Sequence, residues 1–177
     1  MAAQEKFSAI APDRFETQRL KARRISSRDR PHYLRLYTDR DVARTLGGVR
    51  PVDWIAERHE QAIAHWEHHG FGEYLLFDRV TSEFVGRVLL RELMVGEGTH
   101  IELGYAFLPQ YWNRGFGTEA AEALISMGFA TLGLDEIIAF TLPVNRASCR
   151  IMEKIGMSYW QEAVHEGEPH IFYRITR

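Results

Sequence analysis

An α/β fold built on one mixed sheet, mostly antiparallel with a single parallel pair, is the architecture this sequence predicts. Three observations carry that expectation. Residues 72–108 hold three strand-like runs joined by short turns, the pattern of an antiparallel meander. A glycine-containing loop and a strongly periodic helix then separate the last of these runs from a short apolar run at 136–142. That is the strand–helix–strand order of a right-handed crossover between parallel strands. The chain finally closes on two strand-like runs around Glu166-Gly167-Glu168-Pro169, which has the composition of a turn.

A length of 177 residues suits one domain with one core. Residues 1–14 show weak patterning and read as a loose N-terminal extension, leaving 15–177 as the domain. An apolar fraction of 45% and a charged fraction of 26% are those of an ordinary soluble globular protein. A net charge of −2 argues against a general nucleic-acid binder. Cys149 is the one cysteine, so no internal disulfide can form, which fits a reducing cytoplasm. No apolar run has the length of a membrane span, and the N-terminus lacks the apolar core of a signal peptide.

Taken in order, residues 16–24 read as a first strand, with Leu20 and Ala22 alternating with Arg19, Lys21 and Arg23. The basic side of that strand reads as a solvated face. Ser26 or Ser27 caps a helix that runs through Pro31 and Tyr37. A short piece at 41–46 ends at Gly47-Gly48. Asp53 opens a longer helix with Ile55, Ala62, Ile63 and Trp66 on one stripe, stopped by Gly70. His65, His68 and His69 stand at its C-terminal end, where the helix dipole favours a protonated imidazole, and they are not read as metal ligands.

Strands at 72–78, 84–92 and 100–108 follow. In the third, Ile101, Leu103, Tyr105 and Phe107 share one face, while Glu102 shares the other with His100 and Gly104. Ala121, Leu124, Ile125, Gly128, Phe129 and Leu132 then recur at helical spacing, and Gly133 caps the end. The run at 136–142 is short and mostly apolar, as in a central strand buried on both faces. Asn145 caps a last helix with Ser148, Ile151, Met152 and Ile155 on one face. Strands at 157–165 and 170–177 complete a β-α-α-β-β-β-α-β-α-β-β order.

The loop Tyr111-Trp112-Asn113-Arg114-Gly115-Phe116-Gly117-Thr118 is the strongest functional signal. Its glycines allow a tight turn and a close approach of the backbone to a ligand. The helix that follows offers free N–H groups and a positive dipole end, a combination suited to a pyrophosphate. Gly115-x-Gly117-x-x-Ala120 superficially matches a dinucleotide fingerprint. Two features argue against that reading: the strand before the loop already ends at Pro109, and a hairpin stands where a Rossmann fold repeats its βαβ unit.

Several motifs, correctly ordered and spaced, give the stretch from Glu16 to the end a resemblance to the GNAT superfamily of acyl-CoA-dependent N-acetyltransferases. They are Thr17-Gln18-Arg19-Leu20, Glu102-Leu103-Gly104-Tyr105, Gly115-x-Gly117, Glu119-Ala120, Asn145-Arg146-Ala147-Ser148 and Glu153-Lys154-Ile155-Gly156-Met157. Trp112 stands where the superfamily's loop carries Gln or Arg. The aromatic pair Tyr111-Trp112 resembles instead the branch of ribosomal-protein N-terminal (Rim-type) acetyltransferases.

The resemblance implies a GNAT fold in which the one parallel strand pair splays to hold acetyl-CoA. It implies backbone amides of Arg114, Gly115, Phe116, Gly117 and Thr118 on the pyrophosphate. Ala106, Phe107 and Leu108 would pair with pantetheine, and Asn145 and Ser148 would contact the cofactor. It implies direct attack by an amine in a ternary complex, with Glu102 as a candidate base through water and Ser148 as donor to the leaving thiolate. Many GNAT enzymes use a Tyr of the last helix for that last role, and Met152 occupies its position here. Glu102 has a second reading as a solvated strand residue, His100 is a competing base, and Ser148 has a second reading as part of the Asn145 cap. The basic first strand gains a second reading too, as a contact to the cofactor's outer phosphate or to an acidic partner.

The branch points to a protein N-terminal α-amine, such as that of a ribosomal protein, as acceptor. A polyamine, amino acid or antibiotic is the alternative substrate, and a non-catalytic acyl-CoA-binding module is the alternative class. No nucleic acid, membrane or metal is expected. Homodimers are frequent in the branch, and the oligomeric state stays open. Residues 26–72 and the 166–169 turn are expected to set the acceptor.

Overall fold

The computed structural model describes residues 9–177; residues 1–8, the first part of the expected extension, lie outside the described residues. The strands are β1 (Arg14–Glu16), β2 (Leu20–Arg24), β3 (Glu73–Asp78), β4 (Phe84–Val95), β5 (Gly98–Phe107), β6 (Glu136–Thr141), β7 (Ser158–His165) and β8 (Glu168–Thr176). The helices are α1 (Arg30–Thr38), α2 (Arg40–Ala43), α3 (Val52–His69), α4 (Phe116–Ala130) and α5 (Arg146–Lys154). The strands form one sheet in the order β1-β2-β3-β4-β5-β6-β8-β7. Only β5 and β6 run parallel, joined through α4 as the strand–helix–strand pattern predicts.

Several strand boundaries differ from the expectation; β8, for one, starts at Glu168, so the last turn is Glu166-Gly167 alone. The run 16–24 is not one strand but the hairpin β1–β2. Thr17 turns the chain: its amide donates to Leu20 O at 3.0 Å, and its hydroxyl accepts from Leu20 N at 3.1 Å. β4 continues past Glu92 to Val95, because β5 pairs with it up to a tight turn at Gly96-Glu97, with Val95 opposite Gly98. Just upstream of β1, the Ala11 amide donates to Gly70 O at 2.8 Å and Arg24 N to Asp13 O at 2.8 Å.

Period-two alternation divides the sheet between two helical layers. Leu90, Leu103 and Tyr105 point toward α4 and α5: a methyl at Gly128 of α4 would touch Leu90, and Tyr105 bonds to Ser148 of α5. Arg87, Arg91 and Glu102 point the other way, where the Arg87 guanidinium lies 5.6 Å from the Tyr37 ring of α1. The apolar stripe of α4 is buried at Ala120, Ala121, Leu124, Ile125 and Gly128, as its spacing requires.

The basic side of β2 is only partly a solvated face. Lys21 is exposed there, while the arginines are half-buried and partnered. Arg23 forks onto the buried Asp29 carboxylate at 2.5 and 2.7 Å. Burial pushes the Asp29 carboxyl up, but the Arg23 and Ser26 hydrogen bonds outweigh it and hold it below its ordinary value. Arg24 covers the Trp66 ring at 4.8 Å, and Arg19 belongs to the site described next.

His65 uses both ring nitrogens locally. Nδ1 lies 2.9 Å from Phe71 O, and Nε2 accepts from Glu92 N at 3.2 Å, which fits a neutral ring. Burial, with His69 stacked 4.3 Å away, pushes its pKa down to about 4 against the Phe71 hydrogen bond. The unfolded chain therefore takes up the His65 proton first, at its ordinary value of 6.5. Stability is expected to fall as pH drops from 6.5 toward 4, and His65→Gln should remove that part of the fall in thermal melts across this window.

Candidate active site

β5 and β6 share a single register pair, Glu102 with Ile138, and then separate, so the sheet opens between them. A cleft of about 850 Å³ occupies the opening. On the α4–α5 side it is lined by residues 115–118, Asn145 and Ser148; on the other side by Tyr37, Leu46, Arg50, Trp54, Arg58 and the 166–170 turn region. The two segments expected to set the acceptor therefore both border the cleft.

At one end the loop delivers the first turn of α4. Asn113 (φ 56°) and Gly115 (φ 80°) take left-handed conformations, and Gly115 is the N-cap. No side chain caps α4, so the amides of Phe116, Gly117 and Thr118 keep the orphan donors of a helix start, and all three residues line the cleft. With the positive end of the helix dipole behind them, they form an anion site.

Glu119 does not fold back onto these amides. Its carboxylate takes the Thr17 hydroxyl at 2.5 Å, the Arg19 amide at 2.7 Å and Arg19 Nε at 2.7 Å. Burial pushes the Glu119 carboxyl up, but these Thr17 and Arg19 hydrogen bonds hold it below its ordinary value. Arg19 also donates to Arg114 O at 2.7 Å and stacks over Phe116 at 4.5 Å. Arg19 thus straps the loop to the start of β2, with part of its side chain still exposed.

Two of the residues expected to touch the cofactor lie off the cleft. The Leu108 amide is committed to Val85 O at 2.9 Å. The Arg114 guanidinium lies over the Phe116 and Tyr111 rings at 5.3 and 5.7 Å. Ala106 and Phe107 do line it, but the Phe107 carbonyl already accepts from the Trp112 indole at 2.7 Å. That bond gives the aromatic residue at the Gln/Arg position a job: it pins the loop to the end of β5.

The two candidate catalytic groups sit on opposite faces of this opening. The Ser148 amide donates to Asn145 Oδ1 at 3.2 Å, so Asn145 caps α5 as expected. The Ser148 hydroxyl is not part of that cap: Oγ lies 2.9 Å from Tyr105 Oη. Burial drives the Tyr105 hydroxyl well above its ordinary value, against the Ser148 hydrogen bond, so it stays protonated. The sequence places Tyr105 on one strand face with Ile101, Leu103 and Phe107 and within the Glu102-Leu103-Gly104-Tyr105 motif, with no role of its own. Its alternation with Glu102 was visible there, but the α5 residue it would meet was not. Met152 is fully buried.

Glu102 is 6% exposed, which rules out a solvated strand residue. Arg91 Nε lies 2.5 Å from its Oε2, and a methyl at Gly104 would press on its Oε1 at 3.1 Å. His100, on the same face, turns its Nδ1 to Glu136 Oε1 at 2.9 Å and lies off the cleft.

Residues 19–158 match the family model described as Acetyltransferase (GNAT) domain. The chain is 29% identical over 156 residues to the uncharacterized protein YkkB of Bacillus subtilis (strain 168), spanning 84% of this chain and 87% of that protein. Its fold is similar to that of ribosomal-protein-S5-alanine acetyltransferase from Vibrio fischeri, with a TM-score of 0.72 and 19% identity over 92% of this chain and 96% of that one. It is also similar to that of spermidine N-acetyltransferase from Vibrio cholerae in complex with CoA and spermine, with a TM-score of 0.71 and 17% identity over 89% and 95% of the two chains. At such identities the likeness is one of fold.

Proposed function

The chain belongs to the acetyltransferase (GNAT) domain family, and on that premise we propose that it acetylates a protein N-terminal α-amine, such as that of a ribosomal protein, using acetyl-CoA in a ternary complex. The observation that carries the reading is one opening in the sheet with an uncapped helix start at its end and Ser148 and Glu102 on its two faces. The amides of Phe116, Gly117 and Thr118 suit a pyrophosphate. Ala106 and Phe107 flank the gap along which pantetheine would lie, with Asn145 and Ser148 beyond it. Acetyl-CoA supplies the thioester and a thiolate leaving group.

Glu102 would take the amine proton through water, and Ser148, held by Tyr105, would give the leaving sulfur a hydrogen bond. An α-amine, with a reference pKa of about 7.7–8.0, asks less of the base than a side-chain amine near 10.4. A carboxylate already clamped by Arg91 suits that lighter task.

The test is acetyl-CoA-dependent thiol release with free-N-terminal peptides and with spermidine. Release faster with spermidine than with any peptide would move the acceptor to a small amine. CoA binding with no release on any amine would make the chain an acyl-CoA-binding module. Within this reading Ser148→Ala is expected to lower kcat by roughly ten- to a hundredfold, the value of a hydrogen bond to a charged group of about 1.5–3 kcal/mol. The Asn145 cap on the Ser148 amide survives the change, so the melting temperature should hardly move. Full turnover with earlier melting would leave Ser148 a structural residue.

A further inference from the structure

We infer that the acceptor side of the cleft is a carboxylate-recognition site, so that the amine acetylated carries a carboxylate within about one residue of its nitrogen. The inference rests on the transfer reading above and names the acceptor's chemistry.

Four arginines line the cleft on the α1–α3 side: Arg50, Arg58, Arg87 and Arg91. Their buried counter-charges are two, Glu73 and Glu102. Glu57, Glu166 and Glu168 stand at the exposed rim, where solvent screens them. Half-buried Glu92 stands beside Arg58, Arg91 and Glu73, so the buried and half-buried groups number four guanidiniums against three carboxylates, an excess of one positive charge.

Arg87 is the central observation. It is 6% exposed, lines the cleft, and its Nε and Nη1 have no hydrogen-bond partner among the described residues. Its nearest carboxylate among the described residues, Glu73, pairs with it only loosely at 3.7 Å, and neither Glu73 oxygen accepts a hydrogen bond from a described residue. Buried guanidinium donors are ordinarily satisfied, and their planar fork matches a carboxylate. Arg50 repeats the pattern with a buried Nε that bonds to no described residue and a loose 3.5 Å contact to exposed Glu166.

The register sets these groups beside the chemistry. Arg87 lies opposite Ala106 and Arg91 opposite Glu102, on the face that Glu102 shares. An acceptor whose amine reaches Glu102 thus has arginines one strand away. The same excess of positive charge disfavours a polyamine.

The test is calorimetry on CoA-saturated protein with Glu-Ala-Ala-Ala amide, its Gln and Lys counterparts, alanine, alaninamide and spermidine, followed by thiol-release rates on the same panel. The Glu peptide is expected to bind at least about tenfold tighter than the Gln peptide, with the Lys peptide and spermidine weaker still. A preference for alanine over alaninamide of similar size would also support the site and make a free amino acid the source of the carboxylate. Arg87 alone cannot be removed without stranding Glu73, so Glu73→Gln with Arg87→Gln is the variant of choice. It should bring the Glu and Gln peptides to within about threefold. Should it fail to fold, Arg58→Ala and Arg50→Ala should each narrow the preference at least about threefold. Equal binding of the Glu and Gln peptides together with equal binding of alanine and alaninamide, or tighter binding of spermidine, overturns the site. Acetylation that ignores charge leaves the transfer standing and removes the carboxylate site. Tighter acid binding with no acetylation of any amine does the reverse.

Discussion

Gly117→Val is expected to lower CoA affinity about a hundredfold, with a fall in melting temperature, while the protein still folds. A methyl on Gly117 would sit 2.7 Å from Ile151 Cδ1 and 3.4 Å from Phe107 Cε2. The first turn of α4 is thus wedged between α5 and the end of β5. Overpacking of this kind costs about 1–3 kcal/mol. It is relieved by moving the turn, which carries the amides of Phe116, Gly117 and Thr118 away from their common target. Each hydrogen bond to a charged group is worth about 1.5–3 kcal/mol, so losing one or two gives the expected factor. Gly117→Ala is the control: its methyl presses hard only on the flexible end of Ile151, with Phe107 in ordinary contact at 3.4 Å, and a loss under about tenfold is expected. Calorimetry with CoA measures both. A folded Gly117→Val protein with unchanged CoA affinity would remove the loop from the cofactor site.

Gly117 was legible in the sequence as a position that tolerates no side chain, but its packing against α5 was not. The spacing suggested a backbone left bare for a phosphate. The missing side chain also leaves room for α5, a contact that no local pattern announces. What was legible is what a few neighbouring residues decide: the stripe of α4, the Gly70 stop, the Asn145 cap and the meander ahead of the loop. What was missed depends on pairing at a distance. Arg19 and Glu119 are 100 residues apart, and nothing in 16–24 signals that Thr17 folds the run into a hairpin. The Arg91–Glu102 pair was countable in principle. A turn at Gly96-Glu97 puts Val95 opposite Gly98, and stepping back four residues on each strand pairs 91 with 102. Ending the strands at 92 and 100 hid that register. Residues 26–72 carry no motif, since Arg50 on a loop and Arg58 on a helix join the sheet's own Arg87 along the cleft only once the chain is folded.

Glu102→Gln is expected to lower kcat/KM about 10²–10⁴-fold near neutral pH if Glu102 is the base, with the loss shrinking at higher pH. The sign follows from the acceptor. Once the carboxylate is gone, the amine must reach its neutral form in solvent, so the rate should climb with pH through the α-amine range of about 7.7–8.0. Glutamine keeps an acceptor for Arg91 but removes the charge that balances it, so some stability is lost as well. Arg91→Gln separates the two effects, because it breaks the same ion pair and leaves the carboxylate in place. It should retain more turnover than Glu102→Gln and lack the recovery at high pH. Equal losses in both variants at every pH would make the pair architectural. His100→Ala is expected to change little, since His100 is held by Glu136 at 2.9 Å and by the Trp160 ring at 5.1 Å, off the cleft. Near-normal activity in Glu102→Gln with activity abolished in His100→Ala would transfer the role to His100. Indifference to both changes would mean that the amine loses its proton to solvent and that the site works by positioning alone.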